Sequence, residues 1–441
     1  MSAKNLALTN PTTVSARRNV MPLKTDTPSA YRAAGDLDTS YGNAGYQLIN
    51  PNGVEHYEAH GLSLTHNNEA LIAGAAPSHL PTHTQFQFIL MRRDENGAMV
   101  EGFGEQGMAC GHFNPDEPGW GSHGLKTFAL NNSGWLLLGF VHDHANMRMP
   151  SFAWLRDDGT ADTSHGDNGT FVLKSPLPNE LGSHGKPIVN ARIQSTGSVV
   201  TLYEYVFELN YWGGLLSRIQ PAGVLDATFN EGLGYAEALT RGGEVFIPSV
   251  LALQADDRIL VAGNTDDNRG VKGGLIKRFD KDGRTDVTFA VGGEQRDLDR
   301  HYADMVSNED GILICGSTSQ GALLVKLNPD GSPHADFGGL PVITPQVNAW
   351  HKVLVYQGNI IALGIIDTGF SALAVLARFD RNGNPDNAFG AAGNGRVLLE
   401  FGGQFDTPLD LAIDQQQRIL VLGSAKGPIG AVNFYTTRLF Y

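Results

Sequence analysis

Short apolar runs alternate along the chain with glycine-centred polar breaks. Runs of aliphatic residues ending in glycine recur: "ALIAG" closes at Gly74, "LLLG" at Gly139, "ILVAG" at Gly263, "ILICG" at Gly316, "IIALG" at Gly364 and "ILVLG" at Gly423. Runs this short, bounded by Asp-Gly and Asn-Gly pairs, predict strands joined by tight turns. No apolar pattern of helical period is sustained anywhere.

A second phrase accompanies each run. It opens on Gly35, Gly97, Gly159, Gly223, Gly283, Gly331 and Gly383, and six positions on it carries a ring: Tyr41, Phe103, His165, Phe229, Phe289, Phe337 and Phe389. The third residue after the glycine is Asp38, Asp162, Asp226, Asp286 or Asp386, with Val100 and His334 in the other two copies. Where one repeat lacks its closing glycine, Tyr203 stands there. A repeat of this length made of short strands has the period of a four-stranded antiparallel blade, which buries both faces only when neighbours stack on it. The expected fold is all-β: a single seven-bladed β-propeller over residues 35–441, with residues 1–34 as an arm or strap. The chain ends on the strand "FYTTRLFY", and residues 35–50 supply the phrase that should follow it. The N-terminal strand is therefore expected to complete the last blade and close the ring. The recurring rings read as packing between blades. "DKDG…D" (Asp280, Asp282, Asp286) reads as capped turns, because no bidentate Glu follows as a calcium loop requires.

"RFDKDGRTDVTF" (Arg278 to Phe289), "RFDRNGNPDNAFG" (Arg378 to Gly390) and "DDRILVAG" (Asp256 to Gly263) resemble the delta-60 repeat family of bacterial proteins, over roughly residues 35–441. The resemblance implies a β-propeller and attaches no common enzymatic activity to the repeat.

Composition narrows the possible roles. The 54 glycines and the 18% charged content agree with many strands and turns. Net charge is −14, and the only basic stretch is residues 1–34, so no nucleic-acid partner is expected. Cys110 and Cys315 are expected as reduced thiols. The first thirty residues lack the apolar stretch of a secretory signal, and no apolar run is long enough to span a membrane. A cytoplasmic protein, or export by a signal-independent route, is expected.

Irregular sequence gathers in the loops of one face, where rigid scaffolds tend to carry function. Histidines stand where these loops enter the innermost strands: His60, His123, His184, His301 and His351. They read as a polar rim in preference to a metal site, since their offsets from the glycine landmarks differ, and no cofactor is expected. His142 and His144 form a weaker metal candidate. Trp120, Tyr211, Trp212 and Trp350 fall in the same loops and suit a glycan or a protein contact, whereas Trp135 and Trp154 lie in strands and read as core. Asp304 and Asp410 are channel carboxylates that could serve as acid and base. No nucleophile elbow, phosphate loop or zinc-protease helix occurs. The reading preferred on these grounds is a non-enzymatic binding or interaction module for an unknown protein or glycan. The alternatives are a lectin-like protein, and a hydrolase or lyase using channel-mouth histidines and carboxylates.

Overall fold

The computed structural model describes residues 33–49, 56–78, 85–117, 119–130, 134–143, 148–174, 189–207, 211–240, 244–266, 272–427 and 432–441. The expected arm lies outside them as far as residue 32. The described residues are almost entirely strand and turn, arranged as five four-stranded antiparallel sheets and one sheet of eight. The larger sheet consists of two sets of four strands that meet only through one parallel pair, Ala372 with Phe405. The innermost strand of each set is Glu58–Leu64, Gly121–Ala129, Val189–Ile193, Val245–Leu253, His301–Asn308, Ala349–Tyr356 or Phe405–Ile413. Each set packs against the next, and the last packs against the first, so the sheets form a closed circuit.

The repeated phrase is the seam between sheets. Every opening glycine has φ between 81° and 92°, a left-handed conformation that other residues adopt only with strain. Each also lies against the preceding repeat. A Cβ on Gly97 would stand 3.2 Å from the Tyr41 ring, on Gly159 3.1 Å from Phe103, on Gly331 2.7 Å from Phe289 and on Gly383 3.1 Å from Phe337. The ring of one repeat therefore lies beneath the glycine of the next, and Tyr41, Phe103, Phe229, Phe289 and Phe389 are wholly buried there. The N–H following the ring donates to the carbonyl preceding the next glycine, as from Gly104 to Asp158 (2.6 Å) and from Asn230 to Asp282 (2.8 Å).

In most copies an arginine from the strand before the phrase covers the ring from the strand side: Arg218, Arg278 and Arg378 stand five positions before their glycines, and Arg438 lies on the strand that the first phrase completes. Its guanidinium carbon lies 5.0 Å from the ring centre for Arg218 on Phe229, 4.9 Å for Arg278 on Phe289, 5.0 Å for Arg378 on Phe389 and 4.8 Å for Arg438 on Tyr41. The same arginines pair with the phrase aspartates, from Arg218 to Asp226 (2.7 Å) through Arg438 to Asp38 (2.7 Å). The other carboxylate oxygen caps the turn, accepting the Thr228 N–H in one copy and the Ser40 N–H in another. This accounts for the aspartates without a bound cation.

Departures from the phrase are compensated by position. In the third copy His165 stands where the ring is and Trp154 where the arginine is, and the indole and imidazole stack at 5.6 Å. In the sixth, His334 replaces the aspartate and accepts the Asp336 N–H, while Lys326, in the arginine's place, pairs with Asp336 at 2.6 Å. In the second, Val100 offers no carboxylate, and Arg92 turns to Glu69 instead, at 2.5 Å.

The first phrase completes the last sheet as expected. Tyr46–Ile49 pairs antiparallel with Val432–Phe440, the Gly390 N–H donates to the Ala34 carbonyl at 2.8 Å, and the Tyr41 hydroxyl bonds Thr436 at 2.7 Å. Asp38 and Arg438 are both nearly inaccessible to water. Burial alone pushes the Asp38 pKa up, but the Ser40 hydroxyl and the Arg438 guanidinium outweigh it and hold the group below its ordinary value. Arg438→Met, which removes the cation paired with that buried carboxylate, is expected to cost about 3–5 kcal/mol in chemical denaturation. Because the Asp38 pKa is depressed, its contribution is present above the ordinary carboxylate range and lost as pH falls through the folded-state value. The difference between wild type and variant should therefore shrink on acidification. A pH-independent difference would show that the pair contributes packing alone.

Candidate active site

The closing glycines determine how the inner strands present their side chains. A Cβ on Gly74, Gly263, Gly316 or Gly364 would collide with the carbonyl of Glu58, Ile247, His301 or Ala349 on the strand opposite. Beside each close approach the inner strand carries a β-bulge, at His60, Ser249, Ala303 and His351 respectively. Where Tyr203 replaces the glycine, the register through Val189 with Tyr203 and Asn190 with Leu202 is unbroken. A bulge re-aims a side chain, so the glycine pattern is what turns His60 and His351 out of the regular pleat.

His60 is brought to a neighbour that the loop-centred reading overlooked. Glu58, two residues earlier on the same strand, accepts a hydrogen bond on Oε2 from Nε2 of His60 at 3.0 Å. The same oxygen accepts one from Nδ1 of His123, on the next sheet, at 2.9 Å. A carboxylate only accepts, so both nitrogens carry their protons toward it. These bonds, His123's the stronger, hold the Glu58 carboxyl far below the usual carboxylate range against the opposing effect of burial. The His123 ring is nearly buried and is clamped between Phe86 (5.2 Å) and Phe140 (4.7 Å, within 2° of parallel). His142 lies 5.3 Å from His123. Burial, with the His123 and Arg148 charges, lowers the His142 pKa and favours its neutral form. Glu58 and His60 remain 40% and 32% exposed, so the cluster is open to solvent.

The other expected residues separate into distinct environments. His301 is exposed, 3.0 Å from Asn264, and lines a cavity of about 250 Å³ with Lys272, Arg300 and Thr318. His351 is half-buried, and burial, Lys352 and His301 lower its pKa. Of the four described histidines, His60 and His123 meet at Glu58, whereas His301 and His351 lie in other surroundings. Trp350 is wholly buried edge-on to Phe379, so its ring is closed to ligands. Trp120 is partly exposed and packs against the buried cluster that contains Phe113. The backbones of Tyr211 and Trp212 lie in the strand Tyr211–Ile219, but their side chains, like His144 and His184, lie outside the described residues.

The channel carboxylates are held by neighbours. Asp410 accepts the Leu62 N–H at 3.0 Å and lies 3.4 Å from the Lys126 ammonium. Burial works against its charge, but Lys126, Lys352 and two backbone N–H groups prevail and lower its pKa. Asp304 accepts the Val353 N–H at 3.1 Å. Lys352 feels both carboxylates, which raise its pKa despite burial. These groups pin adjacent sheets together in an ion-paired core.

The profile of a family described as "Domain of unknown function (DUF5122) beta-propeller" matches residues 254–289. No curated protein matches the chain. Solved structures that resemble it include an alpha-L-arabinanase of Penicillium chrysogenum (10% identity, TM-score 0.44, covering 88% of this chain and 96% of that one). Others are a GH93 alpha-L-arabinofuranosidase of Fusarium graminearum (9%, 0.45, 89% and 96%) and a GH43_1 enzyme of Xanthomonas citri (10%, 0.33, 87% and 88%). At these values the likeness concerns the β-propeller fold. The expectation of a non-enzymatic binding or interaction module is corrected here. Several of these similar structures are glycoside hydrolases, and on this chain the Glu58 carboxylate accepts hydrogen bonds from His60 and His123 in a solvent-open position. No helix among the described residues is long and apolar enough to cross a membrane.

The glycine dependence of the site is testable. Gly74→Ala places a methyl against the Glu58 backbone, and overpacking of this kind costs about 1–3 kcal/mol in chemical denaturation. An unchanged midpoint would show that the strand has room, and that the glycine does not fix the bulge at His60.

Proposed function

We propose that this protein is an enzyme of the hydrolase or lyase class that acts on a carbohydrate at the mouth of a seven-bladed, delta-60-type propeller. The observation that carries the reading is the single Glu58 oxygen shared by His60 and His123 at 2.9–3.0 Å in a solvent-open position. Such a centre holds imidazoles in a fixed tautomer beside a permanent negative charge, which is what activation of water or abstraction of a proton requires. The partly exposed Phe86 and Trp120 nearby offer apolar faces of the kind that pack on sugar rings. The blade count rests on seven sets of four strands, the eight-stranded sheet being two sets joined by one pair. The glycan is the expected partner.

Reducing-sugar release and the absorbance of unsaturated products, measured over a panel of arabinans, pectins and aryl glycosides, test the reading. Wild-type protein should turn over at least one substrate, and Glu58→Gln should lower that rate by about 10²–10⁴-fold. No turnover across the panel, or equal rates for the two proteins, would overturn the proposal.

A further inference from the structure

The geometry points to a zinc-class divalent metal site formed by Glu58, His60 and His123, which rests on the same centre as the proposed activity and names its means of activating water. One potential ligand atom from each residue lies within 4.8 Å of the others. The two measured edges are 3.0 Å, from Glu58 Oε2 to His60 Nε2, and 2.9 Å, from Glu58 Oε2 to His123 Nδ1. Ligands bound at 2.0–2.1 Å in a tetrahedron stand about 3.3 Å apart. The ion would therefore need the donors to spread by a few tenths of an ångström along these two edges, while the two imidazole donors already lie within 4.8 Å of each other. It would take the place of the two protons that the imidazoles now share with the carboxylate. Two imidazoles and one carboxylate, with a fourth position open to water, are the donor set of catalytic zinc.

Three features distinguish this group from a chance polar rim. The donors lie on strands, and the bulge opposite Gly74 turns His60 out beside Glu58. The rings of Phe86 and Phe140 stack on His123 and fix its orientation, as a hydrogen bond to the far nitrogen of a metal-bound imidazole does in other sites. The half-exposed side of Glu58 and His60 gives an ion and a substrate access from the same direction.

The full-length protein, stripped with EDTA and reloaded with zinc, should retain about one ion per chain by elemental analysis and show a higher melting temperature. Cobalt in place of zinc should give the visible absorption of a four-coordinate ion. His60→Ala and Glu58→Gln should each weaken zinc affinity at least about tenfold in titration calorimetry. Equal melting temperatures of wild type and variants in EDTA would show that the substitutions leave the fold intact. Substoichiometric zinc, or affinities unchanged by both substitutions, would overturn the inference. Zinc uptake without turnover would sustain this site and remove the proposed activity. Undiminished turnover in protein that takes up no zinc would do the reverse, leaving the imidazoles as the base.

Discussion

The ring of one repeat lying beneath the opening glycine of the next is the contact on which the rest of the molecule depends. A four-stranded sheet with two apolar faces has no stable existence alone, and its neighbours must meet it at a fixed spacing. The ring sets that spacing from one side. Glycine admits it from the other because its own φ is positive and it has no side chain to interpose. Arginine and aspartate then close over the ring, so one small cluster satisfies a turn, a cation and a buried aromatic together. The compensated copies support this account. Trp154 and His165 keep a stacked pair, and Lys326 keeps a cation where the aspartate is gone.

With the seams fixed near the outside, the inner strands are free to differ. The bulges opposite the closing glycines allow the sheets that have them to aim one residue independently of its packing. Ser249 and Ala303 are unreactive in such places, and the first two sheets bring Glu58, His60 and His123 together. The ion-paired core of Lys126, Lys352, Asp304 and Asp410 also explains why carboxylates near the channel are poor candidates for acid and base. Their charges are already matched by lysines and backbone N–H groups.

Much of the fold was legible because periodicity reports on packing. Seven rings in one register indicate a shared contact, and the first phrase matches the phrases that follow the equivalent strands of the other repeats. The role of arginine was present in "RFD" but needed the strand register to place Arg278 over Phe289. The site was less legible. Histidines recurring at strand entrances drew attention to five positions, of which His60 and His123 meet at Glu58. Glu58 itself recurs nowhere, and its second partner lies 65 residues away. Only "EAHG", with a carboxylate two residues before a histidine on a strand, could have signalled it. Trp350 was read as a loop residue because the strand begins one residue before it. Its place opposite Gly364, which Tyr302 occupies opposite Gly316, points between sheets and into the core.

The pairing of Tyr46–Ile49 with Val432–Phe440 bears on how the chain is made. The two strands come from opposite ends of a long polypeptide, with Tyr41 and Thr436 separated by 395 positions. During synthesis at about 5–20 residues per second the first strand waits on the order of 20–80 s before its partner exists. Throughout that interval an edge strand, and the sheet it will complete, are unmatched, and a loop of maximal length must close before either is covered. Closure of the ring therefore waits until Val432–Phe440 has been made, and chaperone dependence or misassembly in this protein should concentrate at its latch.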